Sequence, residues 1–236
     1  AKTEGAELGS TYLKFDPGKL KAKDIEIDIG TAGSITLLLQ SLLLPCFFAD
    51  KRIKLVIKGG TDVSWSMPFD YFRNVFIPHV NDFCSKINVD LIRRGHYPKG
   101  GGMVEIDIKP KYKLSDFKTF EDFYNSLKNE TNKIDLVDRG QLIKIKGISN
   151  ATKTLEKANV AERQSSSAKH ILKKYDCPID ILSEYCDSYS DGSAIVLWAV
   201  FQNAIIGADC LGERGKKAEI VGEEAAKKLA EEINLG

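Results

Sequence analysis

Apolar and polar positions change period several times along the first half of the chain, and each change marks an element. Residues 11–15 and 24–29 alternate with a period of two. Ile25, Ile27 and Ile29 fall on one side and acids on the other, which predicts half-buried strands. Gly30-Thr31-Ala32-Gly33-Ser34 then turns the chain into an apolar run at 35–48 that predicts a helix. Residues 51–58 alternate again, with Ile53, Leu55 and Ile57 set between basic neighbours, and Gly59-Gly60-Thr61-Asp62 closes that strand. Helical spacing resumes over 68–85, followed by predicted strands at 87–92 and 103–108. Strand, helix, strand, helix, strand predicts repeated α/β units rather than an all-β or all-helical design.

From 111 to 139 the sequence is polar and weakly periodic, with one short candidate helix at 120–127. The domain boundary is placed there: 1–139 as one unit and 140–236 as a second, smaller α/β unit. The second unit has predicted strands at 141–148, 179–185, 193–201 and 203–211, and predicted helices at 153–175 and 218–233. In the last helix Glu223 and Glu224 precede Lys227 and Lys228 at the spacing that supports a helix by ion pairing.

Composition narrows the class. The chain has 236 residues, 43% hydrophobic and 28% charged, which fits one or two globular domains and excludes wholesale disorder. The 34 Lys and Arg nearly balance 33 Asp and Glu, so any site for a polyanion must be a local patch. The longest apolar run, 37–49, is broken by Gln40, Ser41 and Pro45 and falls short of the ~18 residues of a membrane span. Five cysteines, an odd number without a C-x-x-C pair, predict reduced thiols and a cytoplasmic protein. The chain opens at Ala1 without a Met or a leader and stops at Gly236 directly after a helical pattern, so it reads as a portion of something longer.

Four segments could carry chemistry. Gly30–Ser34, between strand and helix, offers backbone N–H groups at a positive dipole end, an anion site. It matches neither the Walker loop nor G-x-G-x-x-G, and a tight turn with Ser34 as N-cap accounts for it equally well. Gln40 is a carboxamide on a nearly all-apolar helix, so it is expected either to bond to neighbouring backbone or to face a polar cleft. Gly59-Gly60-Thr61-Asp62 ends a strand, where ligand loops gather in α/β sheets. The residues behind it, Trp65, Met67, Pro68, Phe69 and Tyr71, could form a nucleobase platform or a loop packed on its own core. Arg93-Arg94-Gly95-His96-Tyr97-Pro98-Lys99 is the one dense basic patch, suited to phosphate-backbone contact or simply a solvated connection. His79, His96 and His170 are too scattered for a metal cage, and no G-x-S-x-G elbow is present.

Taken together these segments resemble the RNA 3'-terminal phosphate cyclase family. The resemblance rests on Glu4-Gly5-Ala6-Glu7-Leu8-Gly9-Ser10, on Gly33-Ser34 through Thr36 to Leu39-Gln40, on Gly59-Gly60-Thr61-Asp62 with Pro68, and on Arg94-Gly95 through Tyr97-Pro98 to Gly100-Gly101-Gly102. Beyond residue 110 it is looser, ending with Gly212-Glu213 and the last helix. It implies a large domain of repeated α/β units with a smaller α/β domain inserted. It also implies an enzyme that uses ATP and a divalent metal (Mg or Mn) to convert an RNA 3'-phosphate into a 2',3'-cyclic phosphate. In the family a histidine takes AMP from ATP, the AMP passes to the RNA 3'-phosphate, and the neighbouring 2'-hydroxyl displaces it. By the same resemblance Gln40 contacts ATP, and Met67, Pro68 and Tyr71 line the adenine pocket. The nucleophilic histidine would follow Gly236, and none of the three histidines present matches it. The alternative is a non-catalytic, cyclase-like ribosome-biogenesis or RNA-binding protein.

Overall fold

A computed structural model describes residues 2–18, 22–134 and 136–235. It is an α/β structure built on two four-stranded mixed sheets, preceded by a short exposed hairpin of β1 (Lys2–Glu4) and β2 (Lys14–Asp16). In the first lobe β3 (Ile25–Asp28) leads into α1 (Ile35–Phe47), which returns the chain to β4 (Ile53–Gly59), parallel to β3. Then come α2 (Phe69–Tyr71), a π-helical turn (Phe72–Phe76) and α3 (Ile77–Val80). The antiparallel strands β5 (Cys84–Arg93) and β6 (Gly102–Pro110) complete the order β3-β4-β6-β5.

Period-two alternation divides this sheet into two faces. Ile53, Leu55 and Ile57 of β4 and Val104, Ile106 and Ile108 of β6 are buried with Ile35, Leu39 and Leu43 of α1 and with Phe69 and Phe72. On the other face the intervening residues pair across strands: Lys54 with Glu105 at 2.8 Å, Lys58 with Glu26 at 2.7 Å, and Arg52 with Asp107. On the connecting stretch α4 (Phe120–Glu130), capped by Thr119, sets Phe123 against Phe48 and Phe117.

The second lobe repeats the parallel β-α-β unit with β7 (Leu142–Thr152), α5 (Val160–Leu172) and β8 (Ile179–Cys186). Strands β9 (Ser193–Phe201) and β10 (Ile205–Leu211) and helix α6 (Ala218–Asn234) follow, in the sheet order β10-β9-β7-β8. One face, with Ile145, Ile181, Ile195 and Leu197, packs against Leu172 of α5 and Val221 and Leu229 of α6. The other presents Val196, Trp198 and Ile148 to Val75 and Tyr71 of the first lobe. Buried from both sides, β9 reads as an almost unbroken apolar run. Among the described residues no helix is long and apolar enough to cross a membrane.

Predicted boundaries move in several places: the half-buried strand predicted at 11–15 is the exposed β2 at Lys14–Asp16, and the strand predicted from 87 starts at Cys84. The helix predicted over 68–85 ends by 83, because Cys84 already pairs with Pro110 in the sheet. Strand β7 runs to Thr152 rather than 148, through the buried polar residues Ser149, Asn150 and Thr152. The helix predicted from 153 starts at Val160, because Asn159 takes left-handed backbone (φ 50°) after a 3₁₀ turn at Lys153–Ala158.

Candidate nucleotide site at the junction of the lobes

The loops that end β3 and β4 lie side by side. Gly60 N–H donates to the Gly33 carbonyl at 2.8 Å, and Ile35 N–H donates to the Gly60 carbonyl at 2.9 Å. A Cβ on Gly60 would come within 2.4 Å of the Ala32 carbonyl oxygen, so this approach needs glycine. The Ser34 hydroxyl accepts Leu37 N–H at 3.2 Å, so the start of α1 is capped from within. The turn with Ser34 as N-cap, one of the two readings of Gly30–Ser34, is thus present.

The next loop is locked to the β5–β6 connection. Thr61 N–H donates to the Gly95 carbonyl at 2.8 Å, and Gly95 N–H donates to the Thr61 hydroxyl at 2.9 Å. This brings Arg94, only 3% exposed, into a buried charge cluster. Its guanidinium reaches Asp62 at 3.3 Å and Asp70 at 2.6 Å in the first lobe, and Nε reaches Glu184 on β8 at 3.0 Å. Burial pushes the Asp62 carboxyl up, but Arg94, His96 and the Thr61 hydroxyl reverse this and hold it below its ordinary range. Asp70 stays above its ordinary range, because burial and the charge of Asp62 outweigh its share of the same guanidinium. The expectation of a solvated basic patch is therefore corrected. Arg94 joins the lobes, Arg93 donates to the Gly101 carbonyl at 2.6 Å, and Lys99 is exposed with no ion pair among the described residues.

Behind the loop, a cavity of about 590 Å³ opens between the lobes. Trp65, Met67 and Tyr71 line it from the first lobe, and Gly207, Asp209, Lys228, Glu231 and Glu232 line it from the second. Trp65 is 98% exposed and sits on left-handed backbone (φ 62°), a conformation costly for a large side chain. The Met67 carbonyl accepts the Thr36 hydroxyl at 2.7 Å, which ties this loop to α1. Burial raises the Asp209 carboxyl above its ordinary range, with Lys228 opposing.

Of the four residues singled out from sequence, Met67 and Tyr71 line this cavity together. Pro68 is buried beneath the loop. Gln40 lies exposed on α1, one helical turn beyond Thr36, on a flank where Leu37 and Leu44 are exposed as well. The apolar run of α1 thus continues around an open face, and Gln40 is not sealed inside it. The acids and Lys228 are invisible to sequence reading because they lie more than a hundred residues from Met67 on ordinary amphipathic elements. Among the described residues no group of three His, Cys, Asp or Glu side chains could hold a metal ion. The acids gathered at the loop, Asp62, Asp70 and Glu184, are already paired with Arg94. A resident divalent metal is therefore not supported by these residues.

The model of the RNA 3'-terminal phosphate cyclase family matches residues 1–229. The chain belongs to this family. Its relatives include the RNA 3'-terminal phosphate cyclase of Ignicoccus hospitalis, 43% identical over 242 residues, covering 100% of this chain and 63% of the relative. That of Pyrococcus abyssi is 41% identical over 236 residues, covering 100% of this chain and 64% of the relative. That of Saccharolobus solfataricus is 42% identical over 236 residues, with 99% and 64% covered. The chain thus spans less than two thirds of the length of these relatives.

Proposed function

We propose that this chain supplies the base-binding part of an ATP-dependent RNA 3'-terminal phosphate cyclase. Its substrate is RNA with a 3'-phosphate end. The overall chemistry has three transfers. A nucleophile attacks the α-phosphorus of ATP and pyrophosphate leaves; AMP then passes to the RNA 3'-phosphate; the 2'-hydroxyl attacks that phosphorus, closing the 2',3'-cyclic phosphate as AMP departs. None of the described histidines is assigned as nucleophile: His79 bonds the Ile205 carbonyl at 2.8 Å, His96 is buried, and His170 lies on the outer side of α5.

The observation that carries the reading is the cavity between Trp65, Met67 and Tyr71 and the acidic wall opposite. Flat apolar groups suit a base, whereas Asp209, Glu231 and Glu232 would repel a triphosphate but accept hydrogen bonds from an amino group or ribose hydroxyls. The proposal therefore places adenine and sugar here and directs the phosphates outward, with Gln40 on the α1 side as a polar contact and Pro68 as the loop's buried support.

The test uses Trp65 as a reporter, since the other tryptophan, Trp198, is buried between the lobes. ATP should quench Trp65 fluorescence saturably. Tyr71→Leu, which keeps apolar packing but loses the ring, should weaken apparent affinity by about 1–3 kcal/mol with an unchanged unfolding midpoint. No ATP-dependent change at Trp65, or equal quenching in both proteins, would remove the cavity from the proposal and favour a non-catalytic RNA-binding role.

A further inference from the structure

A second and larger cavity, about 1040 Å³, lies at the opposite end of α6. Val221 and Ala218 of that helix border it, whereas Lys228 to Glu232 border the base cavity. At ~1.5 Å per helical residue the two openings are about 10–20 Å apart along α6. Their charges are opposite in kind. Five basic and two acidic residues line the larger cavity, against one basic and three acidic residues at the base cavity.

Two of the five basic groups are committed, Arg163 to Glu219 at 2.7 Å and Lys216 to Glu224. Lys99, Arg214 and Lys217 are exposed and make no ion pair among the described residues. The walls come from both lobes and are fastened to each other, since Lys99 N–H donates to the Ser190 hydroxyl at 3.0 Å. On this rim stand two exposed tyrosines, Tyr97 at 75% and Tyr189 at 57%. Tyr189 is held in place by the Arg93 guanidinium, 4.7 Å from its ring centroid. The cavity floor is polar and rigid: Gln164, fully buried, donates to Ser193 at 2.9 Å and accepts from Ser149 at 2.8 Å.

We infer that this cleft binds the single-stranded segment of the RNA upstream of its 3' end, while the end itself is processed toward the base cavity. Free cations in a concave track with aromatic faces at its rim suit a single strand, whose phosphates meet the charges and whose bases stack on the rings. An acidic peptide would engage the cations but leave both tyrosines without a role. The inference rests on the reading of the protein as one that acts on RNA.

Fluorescence anisotropy with a labelled single-stranded RNA ending in a 3'-phosphate tests it on the full chain. The combined variant Lys99→Ala, Arg214→Ala, Lys217→Ala should bind at least about tenfold more weakly and flatten the log–log salt slope by about two, at ~0.7 for each phosphate no longer neutralised. Tyr97→Leu should weaken binding severalfold and leave the slope unchanged, which a purely electrostatic patch would not produce. The matched control is Lys51→Ala, Lys109→Ala, Lys113→Ala in an equally basic hollow on the first lobe, which should bind like the parent. Equal losses in both triple variants, or no loss in the first, would overturn the cleft. So would a cleft variant that loses ATP quenching of Trp65 while keeping RNA, because the cations would then serve the nucleotide's own phosphates. RNA binding through the cleft with no ATP response at Trp65 would sustain the cleft and overturn the cyclase reading instead.

Discussion

Trp65 carries the costliest local choice in the chain. A non-glycine residue in the left-handed region loses ~1–2 kcal/mol, and at 98% exposure the ring recovers nothing by burial. Trp65→Gly should therefore raise stability by up to about 1 kcal/mol, the relief being reduced by glycine's greater freedom when unfolded. The same change should remove the nucleotide response, read by calorimetry because the fluorophore is gone. A clear loss of stability would mean that the ring packs rather than waits for a base. His96 makes a second test at this scale. Burial holds its imidazole below the usual 6.5, and the Arg94 charge adds to this while Asp62 opposes it. The unfolded chain then takes up the proton more readily, so stability is full above about pH 6.5 and declines as pH falls through that range. The slope is at most ~1.4 kcal/mol per pH unit. His96→Asn should flatten this limb between pH 7 and 5 in denaturant titrations; an unchanged slope would place the proton uptake elsewhere.

Elements with a clean period were legible in the sequence, and those fixed by tertiary partners were not. Strands β4, β6 and β9 and helices α1 and α6 lie within a residue or two of their predicted limits, because Ile53-x-Leu55-x-Ile57 and its counterparts carry the burial pattern themselves. Hairpin strand β1 has three exposed residues and no pattern to read. The site was half legible: Met67 and Tyr71 share one short segment, whereas Asp209 and Lys228 reach it only through the docking of the lobes. The role of Arg94 was hidden for the same reason, since its carboxylates come from three separate places in the chain. Gly222 shows packing overruling propensity. Alanine is favoured over glycine by ~1 kcal/mol within a helix, but a Cβ here would lie 2.1 Å from the Gln164 carbonyl oxygen of α5. That oxygen belongs to backbone and cannot be turned aside, and such overpacking costs about 1–3 kcal/mol. Gly222→Ala should lower stability on balance; a raised unfolding midpoint would mean that α5 and α6 can part at no cost.

At the scale of the molecule the two lobes meet over a junction with an apolar half and a charged half. Val75, Val196 and Trp198 form the first, and Arg94 with Asp62, Asp70 and Glu184 forms the second. Both proposed sites open at this junction, so their geometry depends on how firmly the lobes are joined. Removing one member of a buried charge cluster leaves the others unpaired and costs about 3–5 kcal/mol, whereas neutralising the cluster as a whole costs much less. Arg94→Met should therefore be strongly destabilising, and adding Asp62→Asn and Asp70→Asn should recover part of the loss. Because Asp62 and Asp70 lie in one lobe and Glu184 in the other, hydrogen exchange should accelerate in both β4 and β8 of the single variant. Faster exchange confined to the first lobe would mean that Arg94 only braces the Gly59–Asp62 loop. The lobes would then be joined chiefly by Trp198 and its apolar neighbours, with the His79–Ile205 and Lys99–Ser190 hydrogen bonds at the edges of the junction.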